Sequence, residues 1–462
     1  MVALNLLIKP IWVLTEMEVQ DMVGHGAWGT YAAALSLGFL FLALADLGIN
    51  YYATKQLAAD AGVLQAQFPQ LMALKLILLL LYPPLMYGLG AALGYEPAQR
   101  ELLFWLCLVQ GGAQLMEFFR ANFRALQRFG LDALLSVFDR VVLLGLVVGL
   151  FLTHLTIENF VYARLAAVGL SVLFFYGVLT YLYGWLRPRL HRPTAWKLLR
   201  GSLPFAAMVV LYSVHDKVDQ VMLERMAGDV PTGLYAAAYR WLDAFSMYLW
   251  IILPMFFARF AHYPDQWAEQ EKLLRLGQLV TGIPLTFVAI FFWFWGEKLF
   301  FLYDQSTSPA ELEVMVSSLQ GLGVALFLNG NLAVFSTLLT STGHERYVNR
   351  IIGGSIVLNI LLNLWLIPIL GALACAWTTV ASFALGGGGY LWYIQRRLPV
   401  GIPWRSLGRL LLSAVVLVIT FAALPITDLP WWGQTLLAGG VYLGTLLGLQ
   451  VVRITDMQAL RR

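Results

Sequence analysis

Solid runs of apolar residues recur roughly every 25–35 positions along the chain, as in Leu76–Leu81 and Val141–Leu152, with polar residues gathered between them. Each run is close to the 20 or so residues a helix needs to cross a hydrocarbon core of about 30 Å. Inside lipid every backbone N–H and C=O must be paired within the protein, which leaves helices or a closed barrel. Barrel strands alternate apolar and polar positions over about ten residues, and these runs do not alternate. The pattern predicts an all-α polytopic membrane protein with fourteen helices, at about 1–15, 27–49, 69–93, 101–121, 131–154, 158–184, 202–226, 232–258, 273–302, 312–340, 347–368, 371–395, 406–424 and 431–452. The first apolar stretch is shorter than a full span. It lacks the basic start and small-residue cleavage site of a signal peptide, so it reads as helix 1, either short or lacking a few residues upstream.

Composition narrows the class. Of 462 residues 60% are hydrophobic and 12% charged, about half the charge of an ordinary soluble domain. The two cysteines, Cys107 and Cys375, lie inside apolar runs and suggest neither a disulfide framework nor a zinc site. No cofactor or metal is expected, and a net charge of +4 does not point to nucleic acid. Gly386–Gly389 lacks the Lys-Ser/Thr of a phosphate loop and, inside a predicted helix, reads as a place of close helix packing or a flexible point.

Loop charge sets the orientation. Twenty-one Lys and Arg residues fall in loops on one side, including Arg187, Arg189, Arg192, Lys197 and Arg200, against Arg100 alone on the other. The positive-inside rule then places both termini in the cytoplasm. The basic stretch between Arg187 and Arg200 is explained by topology, with lipid-headgroup binding as the sharper alternative.

The chain also repeats. Gly29-Thr30-Tyr31-Ala32-Ala33-Ala34 opens helix 2, and Gly233-Leu234-Tyr235-Ala236-Ala237-Ala238 opens helix 8, at an offset of 204 residues. An even number of helices per repeat gives two lobes of the same orientation, related by an axis along the membrane normal. The expected organisation is a six-helix lobe at 1–186, a basic cytoplasmic linker at 187–201, a second six-helix lobe at 202–397, and an added helix pair with a tail at 398–462.

Ionisable groups at bilayer depth are costly and therefore candidates for function. Lys9, Arg140, Arg164, Lys217 and Arg240 sit deep in predicted spans, whereas Lys75, Arg225 and Lys298 lie near helix ends and can snorkel to the interface. The seventh predicted helix is the most polar, with His215, Asp216, Lys217, Asp219, Gln220 and Glu224; Lys217, Gln220 and Glu224 share one face. Asp46, Glu117, Asp139 and Asp243 complete the set. Two readings stand side by side. The basic residues could line a cavity between lobes that binds an anionic, phosphorylated headgroup, or they could form ion pairs inside each lobe, as Asp139 with Arg164. Asp216, Asp219, His215, Asp243, Asp46 and Glu117 are the candidates for ion pairing or coupling, and His215 also fits a hydrogen-bonded packing role. Pro10 and Pro254 lie in helices expected beside the seam, where a kink could open a portal.

Several stretches resemble bacterial oligosaccharide flippases. They are Asn5–Trp12, the Tyr31 region, Leu44–Tyr52, Ser202-Leu203-Pro204-Phe205 and His215–Leu223. The resemblance is to the Wzx-type branch of the multidrug, oligosaccharidyl-lipid and polysaccharide (MOP) exporter superfamily. It implies two six-helix lobes around a cationic cavity, in a protein of the bacterial inner membrane that moves polyprenyl-diphosphate-linked oligosaccharide to the periplasmic leaflet. It also implies a monomer working beside glycosyltransferases and a polymerase, with no enzymatic step of its own. Fourteen helices resemble the lipid II flippase branch more than the twelve of many relatives. A multidrug cation antiporter would want a negatively charged cavity. A membrane glycosyltransferase or polymerase would want long outer loops, and these are short.

Overall fold

The computed structural model describes residues 2–50, 52, 63–125, 128–184, 187–262, 266–303, 307–424 and 429–451. Among them the protein is helical, and every predicted span except the one at 27–49 coincides with a single helix. The helices are α1 (Val2–Val23), α2 (His25–Leu40), the short α3 (Ala43–Asp46), α4 (Val63–Ala92), α5 (Pro97–Ala125), α6 (Phe129–Phe151), α7 (Ile157–Tyr183), α8 (Arg192–Ala227), α9 (Asp229–His262), α10 (Trp267–Trp295), α11 (Pro309–Ser341), α12 (Glu345–Leu370), α13 (Ala372–Arg397), α14 (Trp404–Ala423) and α15 (Trp431–Gly448), with a 3₁₀ turn at Gly296–Phe300. Nine of these, among the described residues, are long and apolar enough to cross a membrane by length and composition alone. Of the remaining predicted spans, α2 has only 16 residues and is too short, whereas α1, α8, α13 and α15 carry charged, small or polar residues that dilute the apolar signal.

Three boundaries depart from the sequence reading. Helix α1 continues through Glu16, Glu18 and Asp21, because Met17, Val19, Gln20 and Asp21 are all buried. Helix α8 begins at Arg192, ten residues before the predicted span. The single helix expected at 27–49 is broken: α2 ends at Leu40, α3 is four residues long, and Leu47 and Gly48 follow with φ of 45° and 75°. Gly48 adopts that left-handed backbone freely, whereas Leu47 does so at a steric cost of about 1–2 kcal/mol.

The chain forms two compact units, Met1–Gly233 with Leu302–Ser306, and Leu234–Phe301 with Thr307–Arg462. In the first, α4 packs on α5, α5 on α7, α2 on α8 and α1 on α6. Its apolar core gathers Phe68, Phe118, Phe119, Phe123 and Phe175. In the second, α11 packs between α10 and α13, α13 on α12, and the pair α14–α15 lies on α10 through Leu279, Leu417, Phe421 and Tyr442. The glycine run in α13 serves close packing: a Cβ on Gly387 would fall 2.1 Å from Leu332 of α11, and one on Gly389 would fall 2.7 Å from Ile351 of α12.

Candidate functional site

The break after α2 builds a polar centre that the sequence reading passed over. Lys75 of α4 is fully buried rather than snorkelling. Its ammonium donates to Asp46 Oδ1, and to Asn50 Oδ1 at 3.1 Å. The Asn50 amide in turn donates to Gln114 Oε1 of α5 at 2.9 Å. The unwound turn places Asp46 and Asn50 side by side, with the Asn50 backbone N–H 3.3 Å from Asp46 Oδ1. Near the end of α2 the Tyr82 hydroxyl donates to Gly38 O at 2.6 Å and Gln110 Nε2 donates to Leu35 O at 2.6 Å. A faint sequence signal existed: in the predicted spans Asp46 and Lys75 both lie within about 10 Å of the inner edge, one anionic and one cationic. Nearer that end, Glu117 and Arg120 of α5 pair at 3.1 Å, and Arg120 Nε reaches the buried Asp132 of α6 at 2.8 Å.

Arg164 of α7 is caged by aromatic rings rather than paired with Asp139. Its guanidinium donates to the Tyr31 hydroxyl and lies 6.0, 5.8 and 6.0 Å from the ring centres of Trp12, Tyr31 and Phe160. These distances allow cation–π attraction. Arg140 of α6 differs: its Nη1 is buried and has no hydrogen-bond partner. The side chain of Lys9 lies outside the described residues.

Helix α8 turns much of its polar face into the first unit. Gln220 accepts from the Ser36 hydroxyl of α2 at 2.5 Å, and Glu224 accepts from the Tyr95 hydroxyl at 2.8 Å. Arg225, expected to snorkel, donates to Leu93 O at 2.8 Å and lies 4.7 Å over the Tyr95 ring. Burial pushes the Tyr95 phenol above its usual range, with the Glu224 carboxylate adding to the shift, so Tyr95 stays a donor. Lys217 pairs with its neighbour Asp216 at 3.1 Å. Asp219 is buried on the same helix and His215 half-buried.

Where the two repeat signatures meet, backbones touch. A Cβ on Gly29 would fall 1.8 Å from Asp229 O, and one on Gly233 would fall 2.0 Å from His25 O. Asp229 stands to His25 as Gly233 stands to Gly29, at the same 204-residue offset. The two close approaches are thus reciprocal in sequence. Gln20 clamps it, donating to Gly233 O at 2.9 Å and accepting from the Tyr303 hydroxyl at 2.9 Å.

In the second unit Arg240 is buried on α9, and Asp243 is exposed one turn further on. Asn359, Asn363 and Thr378 join α12 to α13: the Asn363 amide donates to Asn359 Oδ1 at 3.0 Å and the Thr378 hydroxyl to Asn363 Oδ1 at 2.7 Å. Hydrogen bonds of this kind hold helices together in lipid, where apolar burial supplies no force between them. Cys107 and Cys375 are both buried.

Long apolar helices that enclose a few ion pairs define a multi-pass membrane protein, and its fold is shared with solved membrane transporters. A solved structure described as the lipid II flippase MurJ, inward closed conformation, matches with TM-score 0.74 and 12% identity, over 95% of this chain and 97% of that one. An inward-facing multidrug resistance MATE family transporter matches with TM-score 0.62 and 16% identity, over 83% of this chain and 94% of that one. A solved structure described as a MOP superfamily transporter from Pyrococcus furiosus with reverse polarity of its binding pocket matches with TM-score 0.53 and 16% identity, over 85% of this chain and 91% of that one. Residues 2–263 match the family model described as polysaccharide biosynthesis protein, and the chain belongs to that family. No curated protein matches the sequence.

Proposed function

We propose that the protein is a flippase that carries polyprenyl-diphosphate-linked oligosaccharide from the cytoplasmic to the periplasmic leaflet of a bacterial inner membrane by alternating access. The two sequence repeats, 1–186 and 202–397, act as lobes, the basic segment 187–201 links them, and the helices at 398–462 are an addition. Both termini lie in the cytoplasm, following the loop charges. The protein is a monomeric carrier rather than an enzyme. Glycosyltransferases supply its cargo and a polymerase receives it.

The observation that carries this reading is Arg140. An arginine deep in a span, with a buried guanidinium nitrogen left unbonded, is costly unless an anion completes it. A diphosphate does so, offering charge-assisted hydrogen bonds worth roughly 1.5–3 kcal/mol each. Lys9, Lys217, Arg164 and Arg240 are the further cations of the same passage. Asp216, Asp219, His215, Asp243, Asp46 and Glu117 are its ion-pairing or coupling groups. Lys217 is held by Asp216 in this state, and exchange of that partner for a phosphate oxygen would couple binding to movement of α8.

In proteoliposomes supplied with a fluorescent polyprenyl-diphosphate-linked monosaccharide, Arg140→Gln should slow flipping by roughly ten- to a hundredfold, the size of one lost charge-assisted bond. Arg140→Lys should retain part of the rate. Wild-type flipping by a well-folded Arg140→Gln protein would remove the site from the pathway. Likeness to the lipid II flippase along nearly the whole chain favours a second reading, transport of lipid II itself. Lipid II offered in the same assay separates the two.

A further inference from the structure

Helix α8 is longer than a membrane is thick. Its 36 residues extend about 54 Å, against a hydrocarbon core of about 30 Å. The surplus at its start carries Arg192, Lys197 and Arg200, and Arg187 and Arg189 precede it; no acidic residue occurs between Tyr183 and Asp216. A topology signal needs only charge, whereas this segment has a set conformation. Arg189 N donates to Pro69 O at 3.0 Å and His191 N to Gln70 Oε1 at 2.8 Å, both on the first turns of α4. Further along, a Cβ on Gly201 would fall 2.7 Å from the Tyr52 ring. The segment is also two-faced. Ala195, Leu198 and Ser202 are buried, whereas Arg189, Arg192, Lys197 and Arg200 are exposed. Among those cations stand exposed apolar groups, Trp196 (66% exposed), Leu190 (51%) and Leu203 (46%). Cations interleaved with a tryptophan and aliphatic side chains on one face suit the boundary between headgroups and acyl chains.

We propose that the segment Arg189–Leu203 is a binding surface for anionic phospholipid in the cytoplasmic leaflet. The arginines and Lys197 hold headgroup phosphates, while Trp196 and Leu203 lie against the upper acyl chains. The surface anchors the start of α8, the helix whose far end bonds Tyr95 and Leu93, so leaflet composition bears on how firmly that helix is held. The inference rests on the cytoplasmic placement of this segment and is independent of which cargo is moved.

The test uses the full chain in phosphatidylcholine nanodiscs containing a small share of spin-labelled phosphatidylglycerol or spin-labelled phosphatidylcholine. The immobilised fraction of each label gives their relative association. Wild type should prefer phosphatidylglycerol roughly fivefold or more, the effect of a single basic residue at an anionic surface being of that order, and the preference should shrink as salt is raised. The variant R189Q/R192Q/K197Q/R200Q should bring the ratio close to one without lowering the melting temperature, because all four side chains are exposed. R396Q/R397Q, at the end of α13, should leave the ratio unchanged, and so should Arg140→Gln. No preference in wild type, or one that survives the quadruple change, overturns the proposal. Equal loss in R396Q/R397Q would assign the preference to diffuse cytoplasmic charge, and loss in Arg140→Gln would assign it to the transport site; either result also overturns it.

Discussion

Lys75→Met should cost about 3–5 kcal/mol of stability, the usual penalty when one partner of a buried ion pair is removed and the other stays charged. Lys75 is fully buried and Asp46 nearly so, and Asn50 would lose the ammonium it accepts from. Pairing the change with Asp46→Asn should recover most of the loss, because the double variant leaves no uncompensated charge. Melting temperatures of the single and double variants in detergent, followed by size-exclusion chromatography after heating, read this directly. A Lys75→Met protein as stable as the double variant would show that the pair is not the buried ionic contact described. The same measurement on Lys217→Met should give a much smaller shift, since Lys217 and Asp216 keep 16% and 21% exposure and water screens them.

The second large effect is expected at the crossing of the repeats. Gly29→Ala and Gly233→Ala each put a methyl group inside backbone atoms, 1.8 Å and 2.0 Å away, which no rotamer change relieves. Overpacking in a core typically costs 1–3 kcal/mol, and a clash against main chain belongs at or above about 3 kcal/mol. The two changes should not add. Once either methyl has pushed α2 and the start of α9 apart, the second has room, so the double variant should be little worse than the worse single. Gly88→Ala, which meets nothing within 4 Å, is the control and should melt like wild type. Additive losses at Gly29 and Gly233 would mean that they occupy separate contacts. Each Gly→Ala variant should also speed labelling of a cysteine placed at Ser36, which in wild type is buried against Gln220.

Hydropathy and loop charge carried the helix positions, because satisfying the backbone in lipid is a local demand that each span meets by itself. The glycine run at 386–389 was legible for the same reason: small residues on a helix mark where a neighbour can approach. The pairing Tyr95–Glu224 was not legible. Glu224 stood on the polar face of a predicted helix, but its partner lies 129 positions away in a loop. Arg164 was foreseen as a deep cation, with a cavity role and a pairing with Asp139 as the open readings, and the structure surrounds its guanidinium with Trp12, Tyr31 and Phe160. A cation can be satisfied by ring faces as well as by anions, and composition does not say which.

Lys75 draws the line most clearly. The sequence by itself determined that this chain is a helical membrane protein and that few charges lie in its apolar runs. It could not say that the helix expected through Asp46 breaks at Leu47–Gly48, nor that the break turns Asp46 and Asn50 toward α4. Those outcomes depend on which helices become neighbours and where a backbone turn is stabilised by groups such as Tyr82 and Gln110 on other helices. Helix formation in lipid is dictated one segment at a time, whereas the partner of a buried charge is settled only when all the segments are packed.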